Sequence, residues 1–258
     1  MTRLGAAMDV RFEESVEEFI ELITSLGLNH IELKREYLEG HPDAPSAAAV
    51  GELAEQYDIS VTYHAPFRDW NIGSFNDAIR EASVDQVRDT LDDALAADAE
   101  GVVLHGGSVP HRYPKWVRQE AAANAHRSLV ECAEYADDVG VPLCLENQPR
   151  NDAKHRYTTT PTTLAKTLAE VPVSAETLQV TLDIGHAKAN GEHWQEFVDQ
   201  FGDRIHICHL HDNDGNEDTH EPLTEYKHLV DAIPADTFVF EMKDTADIAQ
   251  CVRPGATN

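Results

Sequence analysis

The chain has 258 residues, of which 41% are hydrophobic and 26% charged, a composition typical of a globular protein with a sizeable core. Its formal net charge of −27, from 47 acidic and 20 basic residues, indicates the surface of a halophilic protein and disfavours nucleic acid as a partner. No stretch approaches about 18 consecutive apolar residues, which excludes a membrane-spanning helix on the sequence pattern.

Apolar runs and amphipathic segments alternate along the whole chain. In chain order, the predicted strands are RLGAAM, HIEL, ISVTYH, GVVLH, PLCLE, LQVTLD, RIHICHL and TFVFE. In the same order, helices are predicted in SVEEFIELITSLG, at 46–57, 77–98, 115–139 and 160–170, in GEHWQEFVDQFG, in TEYKHLVDAI and at 244–252. Ser46 caps one helix, Gly140 ends another, and Pro161 occupies the first position of a third.

The strands are continuous apolar runs, as expected for a sheet that is buried on both faces. Eight strand–helix units in about 250 residues predict an α/β fold, a (β/α)8 TIM barrel that spans residues 1–258 as one domain. The active site of such a barrel lies at the carboxyl ends of its strands.

Six of the predicted strands end on a residue of the metal-ligand type. These residues are His64, His105, Glu146, Asp183, His209 and Glu241. Since the strand ends meet at one face of a barrel, the six predict one site.

The residue types suggest how many ions this site could hold. Glu146, Asp183, His209 and Glu241 form a set suited to Mg²⁺, Mn²⁺, Co²⁺ or Zn²⁺. His64 and His105 could share Glu146 to hold a second metal, with Zn²⁺ favoured. In the following loops, His186, Asp218 and His220 could hold a third metal or orient a substrate hydroxyl group. The prediction is therefore one to three divalent ions.

Two predicted loops are basic in an otherwise acidic chain. The first contains Arg112 and Lys115, and the second contains Arg150, Lys154 and Arg156. Such a patch could hold a phosphate or carboxylate of a substrate. Aromatic residues of the same region could stack on a sugar ring or a base, or simply cover the mouth of the barrel; they are Trp70, Tyr113, Trp116 and Tyr157.

Several motifs occur in a characteristic order: YHAPFRDWNIGS, REASV, VVLHGG, LENQP, LDIGHA, HLHDNDG with DTH after it, and FVFEMK. Together, over roughly residues 4–244, they resemble the xylose isomerase-like TIM barrel superfamily, which contains a sugar phosphate isomerase/epimerase group and the endonuclease IV enzymes. In endonuclease IV, nine positions bind three zinc ions. The resemblance places these on His64, His105 and Glu146, on Asp183, His209 and Glu241 with Glu146 shared, and on His186, Asp218 and His220.

In the sugar isomerases and epimerases of the superfamily, the resemblance implies one Mn²⁺-type ion on Glu146, Asp183, His209 and Glu241, with proton transfer by the two glutamates. The sequence departs from both groups. Gly185 stands where the endonucleases usually have Cys, Gly215 stands where characterised ketose epimerases have Arg, and long DNA-penetrating loops are not evident.

Three functions follow as hypotheses. The first is a metal-dependent isomerase or epimerase of a sugar or sugar phosphate, working through an enediolate. Glu146 and Glu241 would be its base and acid and His186 would position a hydroxyl group, while Arg112, Lys115, Arg150, Arg156 and Trp70 would contact the substrate. The second is an endonuclease IV-like zinc phosphodiesterase acting on abasic DNA, the only case with a nucleic-acid partner. The third is a non-catalytic member that binds a metal or a sugar.

The cysteines and the first residues of the chain bear on where in the cell the protein resides. Four scattered cysteines without a C-x-x-C motif indicate reduced thiols, and the first residues are too acidic for a signal peptide. We therefore expect a cytoplasmic protein without a membrane partner. A homo-oligomer is compatible with the sequence.

Overall fold

The structure, a computed structural model, describes residues 2–253. Its strands are β1 Arg3–Met8, β2 His30–Lys34, β3 Ser60–His64, β4 Val102–His105, β5 Ser108–Pro110, β6 Leu143–Glu146, β7 Lys154–Arg156, β8 Leu178–Asp183, β9 Ile205–Leu210 and β10 Thr237–Phe240. Eight of them form a closed barrel in the order β1-β10-β9-β8-β6-β4-β3-β2, with parallel pairing throughout. The predicted (β/α)8 barrel is confirmed.

Helices connect the barrel strands. They are α1 Val16–Ser25, α2 Arg35–Gly40, α3 Ala47–Tyr57, α4 Asp77–Ala96, α5 Lys115–Val139, α6 Pro161–Ala169, α7 Ile184–Ala189, α8 Trp194–Phe201, α9 Lys227–Ala232 and α10 Thr245–Val252. The short helices α2 and α7 directly continue β2 and β8 and were not predicted. Within residues 2–253, no helix combines the length and the apolarity that crossing a membrane requires.

Local sequence explains where several helices begin and end. The Ser46 side chain accepts a hydrogen bond from the Ala49 amide at the start of α3. Thr160 and Thr163 form a capping box at the start of α6, with Pro161 in its first position. Gly140 ends α5 with φ of 74°, a conformation that glycine adopts without steric cost.

The two-residue period of the strands positions the site. Ala7, Val103, Cys144, Ile207 and Val239 form a separate buried cluster, which fills the barrel interior. Two residues after each of the last four, the same face of the strand carries His105, Glu146, His209 and Glu241. The ligand-type side chains are therefore the next interior layer, at the carboxyl end of the barrel.

A two-stranded antiparallel ribbon is added beside the barrel. β5 pairs with β7, with Ser108 opposite Arg156 and Pro110 opposite Lys154. The sequence pattern predicts loops at both strands. Each strand has only three residues, and the two are far apart in the chain, so no periodic pattern signals the pairing. The ribbon joins the loops that follow β4 and β6.

Candidate metal and active site

The ends of β6, β8, β9 and β10 bring four ligand-type side chains together. Glu146, Asp183, His209 and Glu241 each offer an atom within 4.8 Å of the other three. His209 is central, because its Nδ1 lies 3.2 Å from Glu146 Oε1 and 3.8 Å from both Asp183 Oδ2 and Glu241 Oε2. All four are buried.

A second group shares Glu146 with the first. His105 Nε2 lies 2.7 Å from Glu146 Oε2, and His64 Nε2 lies 3.6 Å from the same oxygen. His64 Nδ1 donates to its neighbouring carbonyl, Ala65 O, at 2.8 Å. Since a carbonyl can only accept, this bond places a proton on Nδ1, so that in the neutral ring Nε2 carries the lone pair on the side of Glu146.

A third group forms around Asp218. Its Oδ2 lies 3.2 Å from His186 Nε2 and 3.3 Å from His220 Nε2. The other nitrogen of each ring donates to a backbone carbonyl, His186 Nδ1 to Asn147 O at 2.9 Å and His220 Nδ1 to Glu241 O at 2.8 Å. Histidines that bind a metal are commonly oriented by such a bond on the second nitrogen. The structure thus brings the nine predicted positions into three adjoining groups.

His211 joins the third group and was not predicted. It contributes a ligand-type atom to the set of His186, Asp218 and His220, and its ring stacks on that of His220 with 4.0 Å between centroids. Its Nε2 lies 3.0 Å from the Asp183 carboxylate. A Cβ atom on Gly185 would overlap the His211 ring, so the glycine that departs from the endonuclease pattern makes room for this histidine. The motif HLHDNDG contains His211, but only the fold shows what the ring contacts.

Two charged residues of β2 support the first group and were also missed. Glu32 Oε2 lies 3.2 Å from His209 Nε2. Lys34 Nζ lies 2.7 Å from Glu241 Oε1 and 3.7 Å from Asp9 Oδ2. The sequence did contain a signal for these two residues, because they are charged and lie two positions apart in a core strand. Charged groups are rarely buried without partners, so the pair indicated a polar site.

The surroundings keep the two glutamates ionised. Burial raises the pKa of Glu146, but His105, His186 and His209 outweigh it and hold that pKa well below its ordinary value. Burial likewise raises the pKa of Glu241, and Lys34 with His209 lowers it well below the usual range. For His209 burial lowers the pKa, while Glu32 and Glu241 bring it well above the ordinary value.

Two facing atoms of the third group test whether a cation fits. Asp218 Oδ1 and His211 Nδ1 are buried, lie 3.7 Å apart, and have no hydrogen-bond partner in the described part of the chain. Buried polar atoms are almost always satisfied, by protein, water or an ion. A divalent cation would satisfy these two atoms, and the closely spaced carboxylate and imidazole groups around them are ligands that such cations prefer.

A cavity of about 550 Å³ opens above the three groups. Of the predicted substrate contacts, Trp70 and Arg156 line it. Among the described residues, Arg112, Lys115 and Arg150 are not part of the lining. Arg112 lies on the Tyr113 ring at 5.2 Å, and Arg150 pairs with Glu192 at 3.0 Å, so local partners hold both elsewhere. Exposed Lys115 opens α5. Lys154 of the predicted basic patch also lines the cavity. Sequence reasoning did not assign the other cations of the lining to the substrate: Arg11, Lys34, Arg68 and Lys243.

The barrel, the ligand-type residues at its strand ends and the cavity above them together define a TIM barrel with a candidate metal site at its carboxyl end. The chain belongs to the family described as xylose isomerase-like TIM barrel, whose model matches residues 20–248. This confirms the resemblance found in the motifs.

Individual proteins extend the comparison. An uncharacterized protein of Methanocaldococcus jannaschii is 34% identical over 177 residues, which are 67% of this chain and 58% of that protein, so the match spans less than two thirds of the relative. A D-tagatose 3-epimerase-like protein superposes with a TM-score of 0.80 at 27% identity, over 97% of this chain and 94% of that one. A D-psicose 3-epimerase, crystallised in the presence of D-fructose, has the same fold, with a TM-score of 0.74 at 18% identity over 100% and 93%.

Proposed function

We propose that this protein is a metal-dependent isomerase or epimerase of a sugar or sugar phosphate. The observation that carries the proposal is the placement of Glu146 and Glu241, two buried carboxylates at the base of the cavity that both face His209 Nδ1, at 3.2 and 3.8 Å. The family and the epimerase-like structural neighbours support the same class.

Glu146, Asp183, His209 and Glu241 would hold the catalytic cation. When bound, a divalent ion of the Mn²⁺, Mg²⁺, Co²⁺ or Zn²⁺ type supplies a Lewis acid for the sugar carbonyl, which makes the neighbouring C–H bond more acidic. The remaining chemistry belongs to the side chains.

The two glutamates would carry the proton. One carboxylate would remove a proton from the carbon next to the carbonyl. The other, after taking up a proton from solvent when the substrate binds, would deliver that proton from its own side, which inverts or relocates the stereocentre and leaves the two glutamates with their roles exchanged. Lys34 binds Glu241 Oε1 and leaves Oε2 facing His209, so the lysine positions this carboxylate.

Other lining residues would bind and shield the substrate. His186 borders the cavity and would position a hydroxyl group. Phe67, Trp70 and Ile72 form an apolar wall that suits the face of a sugar ring and excludes water from the carboxylates.

The test is exchange of the substrate C–H proton with deuterium from the solvent, measured by NMR on a panel of ketoses and their phosphates with Mn²⁺-loaded protein. We expect exchange with at least one sugar, and its loss in Glu241→Gln with the circular dichroism spectrum unchanged. Full activity of Glu241→Gln on that sugar would reject the assignment.

A second candidate, a zinc phosphodiesterase of the endonuclease IV kind, is favoured by one observation: the nine ligand-type positions converge in three groups. Incision of abasic DNA in high salt by protein loaded with three zinc ions would support it. Absence of incision, together with sugar-dependent proton exchange, would leave the isomerase.

A further inference from the structure

The ribbon of β5 and β7 presents a basic face to the cavity. Alternate residues of a strand point to the same side, so Lys154 and Arg156 share one face and His155 points away. Lys154, Arg156 and Ser108, which pairs with Arg156, line the cavity, while His155 packs against Tyr157 at 5.3 Å. The ribbon therefore places two cations on the face that lines the cavity.

These two cations differ from three of their neighbours in the cavity, because Arg11 and Arg68 bind Asp9 and Lys34 binds Glu241. Lys243 is instead engaged by the backbone, since its Nζ donates to Thr219 O at 2.8 Å. Within residues 2–253, by contrast, neither Lys154 nor Arg156 has a carboxylate oxygen within 4.0 Å. In a chain with 47 acidic and 20 basic residues, two cations of a concavity without a carboxylate partner are available to an anionic ligand.

Arg156 is also held in place. Its Nη1 donates to Pro149 O at 2.8 Å, and the residue is only partly exposed. Burial lowers the pKa of the guanidinium, and Asp218 and Glu146 act against that lowering, so the group lies within the field of the ligand clusters. A guanidinium remains charged in proteins and offers a planar fork of donors that matches phosphate oxygens.

We propose that Lys154 and Arg156 form a subsite for a phosphoryl group on the substrate, at the end remote from the carbon that Glu146 and Glu241 act on. The second half of this statement rests on the proposed function. Two positive charges match a dianionic phosphoryl group better than a single carboxylate. The substrate class is accordingly a phosphorylated sugar, and the unphosphorylated sugar would bind weakly.

The test compares three probes on Mn²⁺-loaded protein by calorimetry at constant KCl: D-fructose, D-fructose 6-phosphate and D-glucuronate. We expect the phosphate ester to bind about tenfold to a hundredfold more tightly than D-fructose, the range that charge-assisted hydrogen bonds support, and more tightly than the carboxylate. In Lys154→Met/Arg156→Met, the preference for the phosphate ester should fall to within about twofold.

The matched control is Arg112→Met/Lys115→Met, which removes the same charge from the adjoining loop outside the cavity and should keep the wild-type preference. A preference that survives in Lys154→Met/Arg156→Met would come from the metal ion or another site and would overturn the proposal. So would equal binding of the three probes by the wild type. The binding preference does not depend on turnover, so failure of the proton-exchange assay would reject the isomerase and leave the phosphoryl subsite standing.

Discussion

The imidazole of His211 fills the space beside Gly185 that any side chain at position 185 would need. Gly185→Ala must displace a buried ring whose Nε2 contacts Asp183. We expect a loss of about 1–3 kcal/mol in the free energy of unfolding, the usual cost of overpacking, measured by urea denaturation at constant salt. Gly40→Ala is the control, because a Cβ atom there meets nothing within 4 Å.

The effects of substitutions at Gly185 and His211 on the unfolding free energy should be coupled. In a His211→Ala background the obstacle is gone, so Gly185→Ala should cost less than in the wild type by about 1 kcal/mol or more. A double-mutant cycle measures the difference. Equal costs in the two backgrounds would show that His211 is not the reason for glycine at this position.

Lys34 neutralises two buried carboxylates, those of Glu241 and Asp9. Burial alone would lower the pKa of Lys34, but these partners raise it above the ordinary value. Lys34→Met leaves both acids without this cation and should cost about 3–5 kcal/mol of unfolding free energy in metal-free protein. Mn²⁺ should recover part of the loss by compensating Glu241. An identical loss of unfolding free energy with and without Mn²⁺ would contradict this compensation. Lys188→Met is the control. It removes an exposed partner of Asp212 and should lower the unfolding free energy by at most about 1 kcal/mol.

Glu146 belongs to two ligand groups, whereas Asp218 belongs to one. Glu146→Ala should therefore remove more bound metal than Asp218→Ala, as measured by elemental analysis after dialysis against Zn²⁺ and then buffer. We expect Asp218→Ala to lose only the ion near His186 and His220. Equal metal loss in the two variants would argue against independent groups.

His30 should make the stability of the barrel sensitive to acid. It is fully buried, with its ring nitrogens 2.7 Å from Ser60 Oγ and 3.0 Å from Thr62 Oγ1. Burial, with smaller effects from Arg3 and neighbouring histidines, lowers the pKa of His30 from 6.5 to about 3. The unfolded chain takes up a proton near pH 6.5 that the folded protein excludes, so stability falls as the pH drops below 6.5 and continues to fall towards pH 3.

The measurement is unfolding by urea at pH 7.5 and pH 5 for the wild type and for His30→Asn. Relative to the variant, the wild type should lose about 2 kcal/mol between these pH values. A difference that stays constant over this range would show that His30 titrates alike in both states.

The sequence was sufficient for the barrel and for grouping the ligand-type residues, because both depend on regular features. Continuous apolar strands and capping residues such as Thr160 and Gly140 are local signals, and the two-residue period carries Glu146 and Glu241 to the strand ends. Nothing in the sequence alone could show that the His211 ring crosses to Gly185, since the two lie on different strand ends.

For the basic residues of the loops, the sequence could not predict which side chains face the cavity. Arg112 and Arg150 have the same charge and loop context as Arg156, but Tyr113 and Glu192 hold them outside the cavity. Arg156 faces inward because β7 pairs with β5, and a three-residue pairing leaves no periodic trace in the sequence. Side-chain direction in such loops depends on tertiary partners rather than on local pattern.

The seam between β10 and β1 has a consequence for how the protein is made. β10 closes the barrel by pairing with the first strand, and Glu241 follows it directly. During synthesis, the chain therefore emerges from the ribosome with Glu146, Asp183 and His209 before the fourth residue of their group. A cation that needs all four residues can be captured only after β10 has paired with β1, so closure of the barrel would have to precede metal binding.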